Sequence, residues 1–170
     1  MKKILLITLL LISVTSFSQT LRGVSMRLPS NVFCKCIQNV GFEKLNDSIF
    51  NGYIKGVPVE LYVNDYKDSV HCPSEVVIES EPYSNFNLLC QTITKFESYI
   101  IKVYGTPFLK EWTYKNPSYT NCGSEMEYLK DNIIHYYSVW KFAGYDIWIV
   151  TESLANDDSY VVINFKLHSK

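Results

Sequence analysis

Regular alternation of apolar and polar residues marks the last third of the chain. Residues 132–142, 145–151 and 160–167 each alternate, and the segments 143–144 and 156–158 between them contain turn-forming residues. A period of two places one apolar face against a core, which is typical of half-buried strands. The pattern therefore predicts a three-stranded antiparallel meander.

Earlier segments of the chain predict further strands. Residues 49–54 and 57–63 flank a Lys-Gly dipeptide and predict a hairpin, and residues 75–80 predict another short strand. Residues 21–28 also alternate and predict a strand. Pro58 lacks an amide hydrogen, so it indicates either an edge strand or the start of a strand.

Two segments have the helical spacing of three or four residues between apolar positions. The first covers residues 31–40, with Ser30 as the predicted N-cap and Gly41 at the left-handed position after its end. The second covers residues 85–104 and is followed by a further candidate strand at 108–114. The apolar stripe of the second helix contains Phe86, Leu89, Cys90, Ile93, Phe96, Ile100 and Val103.

The order of these elements predicts the fold class. A helix precedes several strands twice, in units of approximately 21–80 and 81–170. We therefore expect an α+β fold with two consecutive helix-then-antiparallel-strand units, in which the helices pack on one side of a sheet. No Gly/Ser-rich linker separates the units, so residues 19–170 are interpreted as a single domain.

Residues 1–18 have the pattern of a cleaved secretory signal peptide. A short basic start precedes an apolar run over residues 4–14, and small polar residues follow. The run is too short for a spanning helix, which needs about 20 residues. We predict an exported, soluble protein that is periplasmic or extracellular. The first cysteine is Cys34, so a lipid anchor at the mature N-terminus is not expected.

The composition argues against several function classes. The formal net charge is −1 and the basic residues do not cluster, whereas binding to a phosphate backbone needs a basic surface. Nucleic acid is therefore not expected as a partner, and no second apolar stretch is long enough to span a membrane. The three histidines are widely separated, so neither a metal site nor another cofactor is predicted.

Five cysteines in an exported chain leave at least one thiol outside any internal disulfide. Cys34 and Cys36 are two residues apart on a predicted helix, so their side chains point to different faces. Cys72 and Cys122 lie in loop-like sequence and are the predicted disulfide pair. The alternative is that all five are reduced, because export permits disulfides without requiring them.

No sequence motif identifies a catalytic nucleophile. A Gly-x-Ser-x-Gly segment is absent, and no cysteine lies in a local protease signature. We therefore predict no enzymatic activity and no catalytic residue. The remaining enzyme alternative is a hydrolase with an unrecognised site around His135.

Aromatic residues make up 15% of the chain, and tyrosine is the most frequent of them. Such rings are enriched where proteins bind partners, because they offer a large contact area. Strand alternation directs one set of aromatic and basic side chains away from the core. The predicted binding residues on this sheet face are Tyr62, Tyr137, Lys141, Trp148 and Lys166. The alternative is that these aromatic side chains pack beneath segment 115–125, or against the other unit, as ordinary core.

Five short motifs occur in a characteristic order along nearly all of the mature chain. They are Leu21-Arg22-Gly23-Val24, Gly41-Phe42, Gly52-Tyr53-Ile54-Lys55-Gly56, Tyr104-Gly105-Thr106-Pro107 and Gly144-Tyr145-Asp146-Ile147-Trp148-Ile149. In these motifs the sequence resembles a broad group of uncharacterised exported bacterial proteins. The order of elements also resembles the folds of the secreted β-lactamase inhibitor protein and of small outer-membrane assembly lipoproteins, although the lipid-attachment cysteine is absent. The resemblance implies the topology of a binding protein and supplies no binding residues.

These observations together predict a non-enzymatic binding protein of the cell envelope. We expect an inhibitor or immunity-type protein that contacts another protein through the aromatic sheet face. The main alternative is a protein that binds a small molecule or a glycan on the same face, since aromatic rings also stack on sugars.

Overall fold

The computed structural model describes residues 20–64, 71–114, 125–131, 134–154 and 158–168. The helices are α1 (Ser30–Asn39), α2 (Phe86–Tyr104) and α3 (Glu125–Lys130). The strands are β1 (Thr20–Leu21), β2 (Val24–Ser25), β3 (Glu43–Lys44), β4 (Ile49–Ile54), β5 (Val57–Val63), β6 (Glu75–Ser80), β7 (Leu109–Tyr114), β8 (Ile134–Phe142), β9 (Tyr145–Ser153) and β10 (Ser159–Leu167). The predicted signal peptide and most of the predicted turn at 156–158 lie outside the described residues.

Eight of the strands form one antiparallel sheet in the order β3-β4-β5-β6-β10-β9-β8-β7. Two meanders that are consecutive in the chain, β3 to β6 and β7 to β10, meet where β6 pairs with β10. The mixture of helices with a large antiparallel sheet confirms the α+β class. No helix among the described residues is long and apolar enough to cross a membrane.

The helices pack on one face of this sheet, which we call the inner face. Along β5 every second residue is buried on this face: Val57, Val59, Leu61 and Val63. The residues that lie in line with Leu61 on the neighbouring strands β6, β10 and β9 are buried on the same face, and they are Ile78, Ile163 and Ile149. The helices add side chains to the same apolar cluster. Their contributions are Phe33 and Ile37 from α1, Leu89, Ile93, Phe96 and Ile100 from α2, and Met126 and Leu129 from α3.

Helix α2 agrees closely with the predicted span. The Asn85 side chain caps its start by accepting hydrogen bonds from the amides of Asn87 and Leu88. Val103, which was predicted to belong to the buried stripe, is 38% exposed. The stripe instead ends at Tyr104, four residues after Ile100, where the tyrosine ring packs near Phe165.

The predicted strand over 21–28 is wrong, because the chain reverses within it. Arg22 and Gly23 both adopt positive φ, 51° and 83°, so Leu21 and Val24 pair across a tight hairpin between β1 and β2. Among the alternating apolar residues, Val24 lies on β2, whereas Met26 and Leu28 follow that strand. Ser30 is also not an N-cap, since Pro29 occupies that position. The Ser30 amide and hydroxyl both donate hydrogen bonds to the carbonyl of His71.

Pro58 lies at the start of an interior strand, so the edge-strand alternative is wrong. Strand β5 is flanked by β4 and β6, and Pro58 is its second residue. Strand β6 ends at Ser80, which lies opposite Val59. No residue of β6 therefore faces Pro58, and the missing amide hydrogen removes no bond of that ladder.

A buried polar cluster joins α2 to the inner face. Glu97 is only 5% exposed, accepts a hydrogen bond from the Tyr136 hydroxyl, and forms an ion pair with Lys110 at 2.6 Å. Burial and the adjacent Glu97 carboxylate raise the pKa of Tyr136, so its hydroxyl stays protonated as a donor. The sequence analysis missed this cluster because Glu97 interrupts an apolar stripe.

Tyr136→Phe should lower the free energy of unfolding by about 1–3 kcal/mol, because it removes one of the two donors to a buried carboxylate. Urea unfolding measures the change. Tyr137→Phe on the opposite face of β8 is the matched control and should change stability by less than about 0.5 kcal/mol. Equal effects of the two substitutions would contradict a stabilising role for the Tyr136–Glu97 hydrogen bond.

Gly52→Ala should destabilise the protein by about 1–3 kcal/mol through overpacking. A Cβ atom at Gly52 would lie 2.4 Å from Cδ1 of Phe42, which is buried and held under the Arg22 guanidinium. Gly144→Ala is the control, because a Cβ there meets no atom within 4 Å. Thermal and urea unfolding of both variants measure the difference, and an unchanged midpoint for Gly52→Ala would contradict the close packing.

Candidate functional site

The five predicted binding residues lie together on the face of the sheet opposite the helices, which we call the outer face. Tyr62 is on β5, Tyr137 and Lys141 are on β8, Trp148 is on β9 and Lys166 is on β10. Their alternation with buried inner-face neighbours fixes this orientation. The two lysines are exposed, whereas the three aromatic residues are half-buried.

These residues share a face but do not form one compact cluster. Trp148 lies between Asn164 of β10 and Val139 of β8. Tyr62 occupies the same cross-strand row as Trp148, but β6 and β10 lie between their strands and bring the separation to about 14 Å. The site predicted from sequence is therefore spread across much of the sheet.

The aromatic patch is a continuous apolar area on the β10, β9 and β8 part of the outer face. It consists of Tyr137, Val139, Trp148, Val150 and Val162, which are neighbours in the strand register. Val139 and Val162 are buried, and the other three are half-buried. No helix among the described residues packs on it; the described helices contribute to the inner-face cluster. Segment 115–125, the cover considered from sequence, lies outside the described residues except for Glu125.

Lys141 and Lys166 lie in a row of alternating charges near one end of the sheet. Lys166 is opposite Glu75 on one side and Asp146 on the other, and Asp146 is in turn opposite Lys141. The Lys141 ammonium also lies 5.3 Å from the ring centre of exposed Phe108. Opposite charges across strands stabilise a sheet, so both predicted lysines have a local structural role.

A different row of the outer face concentrates negative charge, and the sequence analysis did not predict it. Glu60 of β5 lies directly opposite Glu79 of β6. Two tyrosines hold nearby carboxylates: the Tyr62 hydroxyl donates to Glu60, and the Tyr160 hydroxyl donates to Glu152 at 3.1 Å. Only the register of β5 against β6 brings Glu60 and Glu79 together.

Glu60, Glu79 and Tyr160 border a cavity of about 600 Å³, which we call the acidic groove. Strands β4, β5 and β6 form its floor, and Tyr160 and Leu154 close one side. Tyr53 is 60% exposed at the same groove. The carboxylates that line the groove are those of Glu43, Glu60, Glu79 and Glu81. Glu152 lies next to the groove, where it accepts the hydrogen bond from Tyr160.

The electrostatics of the acidic groove favour a positively charged occupant. Burial raises the pKa of Glu79, and the nearby carboxylates of Glu152 and Glu60 raise it further. The ion pairs of the described residues are Lys44–Asp47, Lys110–Glu97 and His168–Asp146, and none includes a groove carboxylate. The described residues also contain no group of three or more side chains arranged to hold a metal ion.

Tyr160, which lines the groove, and Tyr62, which holds Glu60, act as hydrogen-bond donors at neutral pH. Burial, followed by the charge of Glu152, raises the pKa of Tyr160 to about 12. Burial and the hydrogen bond to Glu60 raise the pKa of Tyr62 as well. Each hydroxyl occupies one carboxylate oxygen and leaves the other available as an acceptor.

Two amide oxygens on the outer face are buried without a donor among the described residues. The first is Asn51 Oδ1; Asn51 lies on β4 directly opposite Glu60 and lines the acidic groove. Asn164 Oδ1 lies beside Trp148, while the amide nitrogen of Asn164 donates to Glu75. A buried acceptor without a donor is costly, so both oxygens are positioned to accept a hydrogen bond from water or from another donor.

His135, the centre of the hydrolase alternative, lies on the outer face at the start of β8. It borders a shallow cavity of about 380 Å³ together with Tyr137 and Glu152. Among the described residues no serine or cysteine side chain hydrogen-bonds to its imidazole; Thr113 donates to its backbone carbonyl. The arrangement supplies no nucleophile–histidine pair within the described part of the chain.

The predicted disulfide remains a prediction, because Cys122 lies outside the described residues. Cys72 is a half-buried thiol that follows the His71 carbonyl bonded to Ser30. Cys34 and Cys36 on α1 are also thiols, and burial raises the pKa of Cys34. A raised pKa leaves less of the reactive thiolate at neutral pH.

Comparisons with protein families, with curated proteins and with solved structures find no match for this chain. The outer face of the sheet therefore provides the observations that bear on function. Its two distinguishing features are the aromatic patch and the adjoining acidic groove.

Glu79→Gln should stabilise the folded protein at pH 7 by roughly 0.5 kcal/mol, because it removes a like charge opposite Glu60. The folded-state pKa of Glu79 lies above its unfolded value, so the folded protein binds more protons between the two. The free energy of unfolding of the wild type should therefore fall as pH rises from about 4.5, and this decline should flatten in the variant.

Urea unfolding across that pH range provides the measurement, with Glu111→Gln as the control. Glu111 lies on the edge strand β7 at the far end of the same row. Its substitution removes one charge from the same face and should leave the pH profile unchanged. If Glu79→Gln is less stable than the wild type at pH 7, the Glu79 carboxylate stabilises the fold, which would contradict the expected repulsion from Glu60.

Proposed function

We propose that this protein is an exported, non-enzymatic binding protein that contacts another protein through the outer face of its sheet, as an inhibitor or immunity-type protein. The observation that carries the proposal is the asymmetry of the sheet. Its inner face packs on the helices, whereas no described helix packs on the Trp148 face. Export rests on the signal-like pattern of residues 1–18.

The composition of the aromatic patch supports a protein partner. A sheet face left to solvent ordinarily carries polar side chains, because alternation separates apolar from polar residues. Here Trp148 and Tyr137 are half-buried among three valines of the outer face, of which Val139 and Val162 are buried. Large rings in an apolar setting bordered by charge are typical of protein interfaces.

The order of elements supports the same proposal. Helix α1 precedes the meander β3 to β6, and α2 precedes the strands β7 to β10. We interpret this order as two consecutive helix-then-strand units, whose meanders together form one broad sheet. A broad sheet offers the area of about 800 Å² per partner that a stable complex ordinarily uses.

Glycan or small-molecule binding is the second candidate function, and the acidic groove favours it. Exposed Tyr53 could stack on a sugar ring, and carboxylates such as Glu81 accept hydrogen bonds from hydroxyl groups. A ligand of that kind would occupy the groove and would not require Trp148. The hydrolase alternative around His135 predicts turnover that His135→Ala abolishes, and no turnover across substrate classes would contradict it.

Trp148→Ala should abolish capture of the protein partner while lowering the melting temperature by only about 2–6 °C, because the half-buried side chain is lost from an open face. The measurement is affinity capture by residues 19–170 from envelope and culture fractions under non-reducing conditions, analysed by mass spectrometry. One stoichiometric partner is expected with the wild type.

Leu88→Ala is the matched control for this experiment. Leu88 is 49% exposed on α2, which packs on the opposite face of the sheet. Its substitution should leave capture unchanged. If the Trp148→Ala variant loses partner capture only to the extent that it loses folded protein, Trp148 has a structural role and no direct role in binding. Glycan-array binding without any protein partner would favour the second candidate function.

A further inference from the structure

We propose that Gln19 is the first residue of the mature chain and that its α-amino group closes on its own side-chain amide to form pyroglutamate. The inference rests on the export part of the proposed function, because cleavage after Ser18 is what gives Gln19 a free α-amino group. It adds a covalent modification site, and it gives the modification a role, which is to protect strand β1 from aminopeptidases.

The first argument is that the hydrogen-bonded fold starts at Thr20, directly after the predicted first residue of the mature chain. Thr20 is the first residue of β1 and pairs with Ser25 of β2. Its amide donates to the hydroxyl oxygen of Tyr104 at 2.7 Å, and the same hydroxyl donates to the Thr20 carbonyl at 2.7 Å. The signal-like pattern of the sequence and the start of the anchored fold therefore meet at Gln19.

The second argument is that helix α2 holds β1 with two tyrosines. Besides the two hydrogen bonds of Tyr104, the Tyr99 hydroxyl accepts a hydrogen bond from the amide of Arg22 at 2.8 Å. Burial raises the pKa of Tyr104, so at neutral pH its hydroxyl keeps the proton that it donates to Thr20. Loss of Thr20 would remove both Tyr104 hydrogen bonds and the pairing with Ser25. A chain with a free α-amino group at Gln19 places these contacts one residue from the site of aminopeptidase attack.

The third argument is the chemistry of an N-terminal glutamine. The α-amino nitrogen attacks Cδ of its own side chain, and a five-membered lactam forms. The bond between Cδ and Nε2 breaks, one proton passes from the α-nitrogen to Nε2, and ammonia leaves. Nothing is oxidised or reduced, and no co-substrate is consumed. The reaction proceeds slowly without a catalyst, and a glutaminyl cyclase in the same compartment accelerates it.

The lactam is compatible with the contacts of Thr20. Cyclisation uses only the α-nitrogen and the side chain of Gln19, and the carbonyl of Gln19 stays in the peptide bond to Thr20. The Thr20 amide therefore remains a donor to Tyr104. Cyclisation also removes the positive charge of the α-amino group, whose ordinary pKa is about 7.7–8.0. Because aminopeptidases recognise a free α-amino group, the cyclised chain resists them.

The test is mass spectrometry of the full mature protein, purified from the envelope and culture fractions of the cells that produce it. We expect an N-terminal peptide whose mass lies about 17 Da below that of the form with free glutamine, which is the mass of the ammonia lost. The synthetic peptide Gln-Thr-Leu-Arg-Gly is the matched control for cyclisation during handling. Carried through the same purification, it should convert to a small extent only.

Gln19→Ala tests the protective role, because it gives a matched chain that keeps a free α-amino group. On incubation with an aminopeptidase we expect the wild type to keep its mass, whereas the variant loses residue 19 and then Thr20 as the end of β1 frays. Loss of Thr20 should lower the melting temperature by about 2–6 °C. Tyr104→Phe removes the same two hydrogen bonds from an intact chain and should lower the melting temperature by a similar amount.

Each other outcome contradicts a stated part of the inference. A mature chain that starts at Gln19 with a free α-amino group, or at another residue, would overturn the inference and leave export in place. Equal conversion of the protein and the synthetic peptide would show cyclisation by handling only and would overturn it as well. Equal digestion of the wild type and Gln19→Ala would overturn the protective role.

The same measurement separates the inference from the proposed function. A chain that keeps residues 1–18 in every fraction would overturn export, and the inference would fail with it. If Gln19 is cyclised while no protein partner is captured, the binding function fails and the modification stands.

Discussion

The pairing of β6 with β10 is the interaction on which the rest of the structure depends. It aligns Glu75–Glu79 with Val162–Lys166 and joins two four-stranded meanders into one sheet. On the inner face it places Ile78 beside Ile163, both fully buried, at the centre of the apolar core. On the outer face it places Glu79 beside Val162, where the acidic groove meets the aromatic patch.

Charge is treated differently on the two faces that this pairing creates. Glu97, a buried residue of α2, has both carboxylate oxygens engaged, by Tyr136 and by Lys110. Glu60 and Glu79 on the outer face lie opposite each other and have no basic partner among the described residues. The partners of Glu97 therefore compensate the charge that folding buries. The repulsion between Glu60 and Glu79 is left uncompensated and lowers the stability of the fold, a cost that proteins commonly carry at functional sites.

The elements that sequence predicted well are those whose signal is local. Alternation gave β6 its observed bounds, Glu75–Ser80, and helical spacing gave α2 to within one residue at its start. Alternation also assigned Tyr62 and Trp148 to one face, because it depends only on neighbours in the chain. Short elements such as β3 and α3 were missed, since two to six residues do not complete a recognisable period.

What sequence could not provide is the register between strands far apart in the chain. Glu60 lies on β5 and Glu79 lies on β6, and only the pairing of these two strands makes them neighbours. The same holds for Glu79 and Tyr137, which three strand steps connect. Face assignment therefore identified the aromatic residues, whereas the acidic groove emerged only from the folded sheet. Because the groove lies on one side of the patch and the compensated lysines on another, the outer face is electrostatically asymmetric. Such asymmetry would fix the orientation of a partner more than it would raise its affinity.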